Sequence, residues 1–164
     1  MILHTIGHSN ISVDAFVKLL YDADIEVIVD VRSSPYSKYA SQFNKEELMN
    51  FLTQKGIRYL YMGDSLGGRP LDKSCYIGEN PDYDAIRQKD FYKIGLDRLI
   101  KGIAMHHVAI MCSEEDAMKC HRRNLIGMDI HKKGIRVIHI RGNGLMEEDD
   151  FLNNEIIAAQ TTLF

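Results

Sequence analysis

The run MCSEEDAMKCHRRN, residues 111–124, gathers the thiols of Cys112 and Cys120, three carboxylates, the imidazole of His121 and two guanidinium groups. Groups of these types, brought to one corner of a fold, perturb one another's protonation and can move protons, hold anions or attack electrophiles. Glu114 and His121 are the candidate acid–base pair. Glu114 stands two residues past an apolar, strand-like run, where a carboxylate projects over the rim of a sheet. His121 falls with Met118, Leu125 and Met128 at intervals of three, four and three, the apolar stripe of an amphipathic helix, so its ring is expected to face inward. Cys112 is a candidate nucleophile; a helix N-terminus beside it favours the thiolate, and the nearby carboxylates oppose it. Arg122 is expected to hold negative charge. Each residue also has a structural reading. Cys112 can be a small packing residue, His121 a hydrogen-bonded core histidine, and Glu115 and Asp116 the acidic first turn of a capped helix. Zinc is not expected at Cys112, Cys120 and His121, because the paired CxxC or HxxxH spacings are missing.

Other strand ends carry similar groups. TIGHSN sets His8, a candidate proton carrier, and Ser9 just after Gly7. VDVRSSPYS ends a buried run with Asp30 and Arg32; the arginine suits bidentate capture of phosphate or carboxylate, and the aspartate can fix it by an ion pair. In LGGRP, Gly67 and Gly68 allow mobility or close approach, and Arg69 adds another cation. HIRGNG supplies Arg141. A tight turn, or a purely structural Asp30–Arg32 pair, is the competing reading at these places.

The elements that must position these groups alternate along the chain. Strands are predicted at residues 2–6, 26–31, 57–62, 108–112 and 135–140, all short runs rich in β-branched side chains. Helices are predicted at 12–23 (capped by Ser12), 44–56 (opening on Asn44), 90–103, 116–133 and 147–160. Strand alternating with helix implies right-handed crossovers, hence one three-layer, Rossmann-like α/β domain over residues 1–159. Its sheet is expected to have five strands, mostly parallel, with helices on both faces. Residues 32–43 and 63–89 are long for connections in such a fold, and both follow strands at the carboxyl ends where open α/β sheets bind ligands.

Bulk composition narrows the class. A 164-residue chain with 45% hydrophobic residues and three prolines is one ordered domain with a core of its own. A formal charge of −3 excludes a global footprint for non-specific duplex DNA binding. Three cysteines, no signal-peptide pattern and no membrane-length apolar run point to reduced thiols in the cytoplasm. No cofactor is expected.

TIGHSN, VDVRSSPYSKY, YLYMGDSLGGRP and MCSEED…CHRRN, in that order, resemble the family known as domain of unknown function 488. The resemblance spans nearly the entire chain. It implies a compact intracellular α/β domain and a recurring signature on His8, Ser9, Asp30, Arg32, Pro35, Ser37, Gly67, Gly68, Cys112, Glu114, Cys120, His121 and Arg122, and it names no reaction. VDVRSSP is also similar to a segment of rhodanese sulfurtransferases. Those enzymes cradle a persulfide in a loop from cysteine to a cation, whereas here the sixth residue after Cys112 is Met118. Sulfur transfer is therefore the second enzymatic reading. The tail QTTLF, residues 160–164, resembles the short peptide by which proteins dock on the replication sliding clamp. Leu163 and Phe164 would fill an apolar pocket while Gln160 bonds its rim; the alternative is a helix end packed on the domain itself. The expectation is an enzyme that binds an anionic small molecule, a nucleotide or nucleic-acid component among them. A non-catalytic ligand-binding module is its rival.

Overall fold

The structure, a computed structural model, describes residues 1–151. The proposed clamp-docking residues Gln160, Leu163 and Phe164 lie outside the described residues, as does most of the helix expected at 147–160.

Among the described residues eight strands form: β1 (Ile2–Gly7), β2 (Val27–Asp30), β3 (Arg58–Tyr61), β4 (Tyr76–Ile77), β5 (Asn80–Pro81), β6 (Val108–Cys112), β7 (Arg136–Ile140) and β8 (Met146–Glu148). Six of them make the central sheet in the order β3-β2-β6-β1-β7-β8, and β4 with β5 is a separate small hairpin. Every pairing in the central sheet is parallel except β7 with β8. The helices are α1 (Val13–Asp22), α2 (Lys45–Gln54), α3 (Gly63–Leu66), α4 (Tyr83–Gln88), α5 (Asp90–Met105) and α6 (Met128–Lys132).

The strand sequences explain the layers. Strands covered on both faces read as apolar runs, and their alternate side chains feed two cores. Val27, Val29, Val108 and Ile110 pack with Leu96 and Leu99 of α5 and Ile130 of α6. Ile28, Ala109 and Met111 pack with Phe16 and Leu20 of α1 and Leu48 and Leu52 of α2. This division follows from right-handed crossovers: β1 to β2 to β3 runs one way across the sheet, while β3 to β6 to β7 runs back, which puts its helices on the opposite face. Truncating Leu20 or Leu52, both fully buried, to alanine removes about 2–5 kcal/mol of folding energy.

The reversal also makes a crevice. β2 and β6 are neighbours, and the chain leaves β2 toward β3 but leaves β6 toward β7. Connections that diverge from adjacent parallel strands leave an opening above the strand ends, the place where open α/β sheets take ligands.

Several sequence expectations are corrected. The sheet has a sixth strand: residues 146–148 pair with β7, and Glu147 and Glu148 are strand rather than the start of a helix. Arg136 and Arg141 form ion pairs with Glu148 and Glu147, which favours that pairing over a helix start. Residues 63–89 are ordered into α3, a 3₁₀ turn (Lys73–Cys75), the small hairpin and α4. Asn44 stands at the N-cap of α2 as expected, but its Oδ1 accepts the Ser37 amide at 2.8 Å and not an amide of the helix. Ser12 caps α1 as expected, accepting the Ala15 amide at 3.1 Å. The largest departure is at 116–133. It begins as a 3₁₀ turn (Ala117–Lys119), becomes extended at Cys120, and continues as a π-helical turn (Arg122–Gly127) before α6. Met118 is 47% exposed and belongs to no apolar stripe.

Candidate functional site

Two buried clusters flank the crevice. The first hangs from the end of β2. Arg32 is 5% exposed and grips Asp30 through Nε–Oδ1 (2.9 Å) and Nη2–Oδ2 (2.6 Å). It also donates to the Phe43 carbonyl (2.8 Å) and, from Nη1, to His8 Nε2 (3.2 Å). Tyr59 donates its hydroxyl to Asp30 Oδ2 at 2.6 Å. His8 donates from Nδ1 to the Ser9 carbonyl at 2.6 Å and stacks on Phe43 at 4.3 Å. Both ring nitrogens are thereby used, and burial, with Arg32 beside the ring, lowers the His8 pKa to about 4. At neutral pH His8 is an uncharged brace. The expected Asp30–Arg32 ion pair is formed, and the guanidinium borders the crevice.

The second cluster hangs from the end of β6, and here folding gathers what the sequence scatters. Cys112 closes the strand, and the chain turns over the end of β1. Gly7 permits that turn, because a Cβ on it would sit 1.9 Å from the Glu114 carbonyl oxygen. Arg122, expected to hold a ligand, is 1% exposed and lies under the turn. Its guanidinium donates to the carbonyls of Glu114 and Glu115 and to Thr5 Oγ1. Those bonds hold the turn in place. The Glu114 and Asp116 carboxylates take the amides of Asp116 and Met118 at 3.0 Å each, and Glu115 pairs with Arg141 at 2.8 Å.

This braced turn returns the chain to Cys120 and His121 directly beside Cys112. The two sulfurs lie 3.9 Å (Cys112) and 3.8 Å (Cys120) from His121 Nδ1. His121 Nε2 is 3.0 Å from the Val31 carbonyl. A carbonyl can only accept, so Nε2 carries a proton, and Nδ1 faces both sulfurs. Gly68 is what lets the ring lie there: a Cβ at that position would be 2.7 Å from His121 Cγ. Close approach, not mobility, is the use of this glycine. Gly67 does the same against Ser33, whose hydroxyl oxygen would be 2.4 Å from its Cβ. A hydrogen bond from Cys120, aided by the His121 ring and the Glu114 amide, draws the Cys112 pKa well below the ordinary cysteine range against the cost of burial. Cys120 moves the opposite way, because the pair shares one proton.

Cys112, Cys120 and His121 form the floor of a cleft of about 670 Å³. Arg32 and His121 border the same cleft, so the two clusters share one space. Arg69 stands on its wall; its amide is tied to Ser33 Oγ at 2.9 Å, and its guanidinium has no hydrogen-bonded partner among the described residues. Lys119 adds a second cation, and Leu71, Pro81 and Tyr83 an apolar side. Glu114 and Arg32 border both this cleft and an adjoining one of about 460 Å³, which contains Ser9, Ser37 and Tyr36. Ser37 and Ser9 are thus a step removed from the thiols. Sequence reasoning missed Lys119, Tyr83, Ser33 and the Val31 carbonyl. Lys119 and Tyr83 carried a signal in their charge and ring, whereas a backbone carbonyl carries none.

Fold and cleft together define a doubly wound, three-layer α/β protein with a polar crevice at the ends of β2 and β6. The chain belongs to the family described as domain of unknown function DUF488, whose model matches residues 12–128, more than two thirds of the sequence. No curated protein matches it, and no solved structure does. Among the described residues no helix is long and apolar enough to cross a membrane.

Proposed function

We propose that this cleft is the reaction site of an enzyme that takes a small anionic molecule, a nucleotide or nucleic-acid component being the favoured class. One observation carries the reading: an unspent guanidinium, Arg69, and the paired thiols with their imidazole face one cleft at the sheet's switch point. Arg69 supplies charge for a phosphate or carboxylate. Tyr83, Pro81 and Leu71 offer a surface on which a base or another apolar group can rest. The reacting part of the ligand then lies over Cys112, with Glu114 at the mouth as the group able to exchange a proton with solvent.

Sulfur transfer through Cys112 is less well supported. A persulfide needs a ring of free amides, and the amides of Asp116 and Met118 are already taken by carboxylates.

Calorimetry against a panel of phosphorylated and carboxylated compounds tests the proposal. Arg69→Ala is expected to weaken the best ligand about tenfold or more, the loss of one charge-assisted bond. Cys112→Ser should stop turnover and leave affinity within a few-fold; Glu114→Gln should slow turnover if the carboxylate moves the proton. Binding that ignores Arg69 overturns the reading. Arg69-dependent binding with no turnover of any ligand makes the domain a binding module.

A further inference from the structure

We infer that Cys112, Cys120 and His121 are a three-ligand site for one zinc-class divalent cation, with its fourth position open to the cleft. The absence of a paired motif argues against metal only if ligands must be close in sequence. Folding removes that objection, because the three donor atoms all lie within 4.8 Å of one another.

The distances suit the ion. Zinc bonds of about 2.3 Å to sulfur and about 2.0–2.1 Å to nitrogen, arranged as a tetrahedron, put sulfur and nitrogen about 3.6 Å apart and two sulfurs about 3.8 Å apart. The sulfur–nitrogen separations here are 3.9 and 3.8 Å. The sulfur–nitrogen separations need to close by a few tenths of an ångström and the sulfur–sulfur separation, at most 4.8 Å, by up to about 1 Å, within the reach of side-chain rotation. The imidazole is also prepared. Metal-bound histidines usually donate their other nitrogen to a carbonyl or carboxylate, which fixes ring and tautomer. His121 donates from Nε2 to the Val31 carbonyl at 3.0 Å and aims Nδ1 at the two sulfurs. Gly68 leaves room for the ring in this pose and no other residue would.

The donor set selects the class. Two thiolates and an imidazole favour zinc or a similarly soft ion over magnesium or calcium, which prefer oxygen. Two thiolates beside a dication make a neutral centre, leaving the guanidinium of Arg69 as the cation that can meet an anion in the cleft. Three protein ligands with an exposed fourth position is the pattern of reactive zinc sites, whereas structural sites close all four. The inference rests on the proposed function for the cleft's use, not for the ion's binding.

The test uses the full chain, reduced, stripped with chelator and titrated with cobalt(II), a visible stand-in for zinc. One equivalent is expected to bind with an intense tetrahedral d–d spectrum and a thiolate-to-cobalt charge-transfer band, both erased by added zinc. Cys120→Ser and His121→Ala should each weaken binding about a hundredfold or more. Cys75→Ser, a substitution of the buried cysteine outside the group, should leave the spectrum unchanged. A weak octahedral spectrum without the thiolate band in the unsubstituted chain overturns the inference, as does binding indifferent to Cys112 and Cys120. The unsubstituted spectrum decides even where a variant fails to fold. Loss of metal binding alongside Arg69-dependent anion binding would sink the metal site alone; the converse would sink the anion reading alone.

Discussion

His8 shows how a polar residue beside a working site can serve the fold. Its two nitrogens are satisfied only when the ring is neutral, since a second proton would meet the Arg32 guanidinium. The folded pKa of about 4 is below the unfolded value of about 6.5, so the unfolded chain binds the extra proton over the interval between them. The sign follows: His8 contributes its full stability above about pH 6.5, and that contribution is lost as pH falls toward 4, by up to about 3 kcal/mol. Melting temperatures of the parent and of His8→Gln, measured across this range, should converge as the medium is acidified. Parallel curves would show that the ring is not buried neutral. Arg122 makes the companion case. It bonds two carbonyls of the turn and the Thr5 hydroxyl, so Arg122→Met strands those acceptors and should cost about 3 kcal/mol or more by chemical denaturation. No sequence pattern separates such an arginine from one that waits for a ligand. Arg69 and Arg122 both follow polar or glycine-rich runs near strand ends; burial alone divides them.

At the scale of elements, the corner after β6 decides the site. Its 3.6-residue spacing of Met118, His121, Leu125 and Met128 reads as one helix, yet the chain is extended at Cys120 and winds as a π turn from Arg122. The acidic side chains explain the break: Glu114 and Asp116 accept the backbone amides two residues on, those of Asp116 and Met118, and compete with a continuing helix. His121 does face inward, as the spacing implied, although the helix that implied it is absent. The convergence of Cys112 with Cys120 was illegible because it depends on a turn whose closure is set by Arg122 and Gly7, not by ligand spacing. Gly68 offers a test at this scale. Gly68→Ala puts a methyl group into the His121 ring, so the ring must leave the sulfurs or the β3 loop must move. A stability loss of about 1–3 kcal/mol, with a shifted His121 resonance in NMR, is expected. An unchanged His121 signal would mean the ring is not held as the structure has it.

At the scale of the whole molecule, most of the architecture was legible. The five core strands, their parallel sense and the helices on both faces follow from runs such as VIV (27–29) and VAIMC, which are apolar without alternation because both faces are covered. β8 was not legible, since MEE is neither apolar nor alternating, and its place depends on ion pairs with Arg136 and Arg141. The strand order was not legible either. Only the insertion of β6 between β2 and β1 creates the crevice, and with it the meeting of Arg69, Cys112 and His121. That meeting is the central claim, and backbone NMR shift mapping during titration with inorganic phosphate and then a nucleoside monophosphate tests it most directly. Shifts are expected to concentrate at Ser33, Ser34, Gly68, Arg69 and residues 113–121 and to disappear in Arg69→Ala. Shifts spread over the surface, or gathered at another face and unaffected by that substitution, would contradict it.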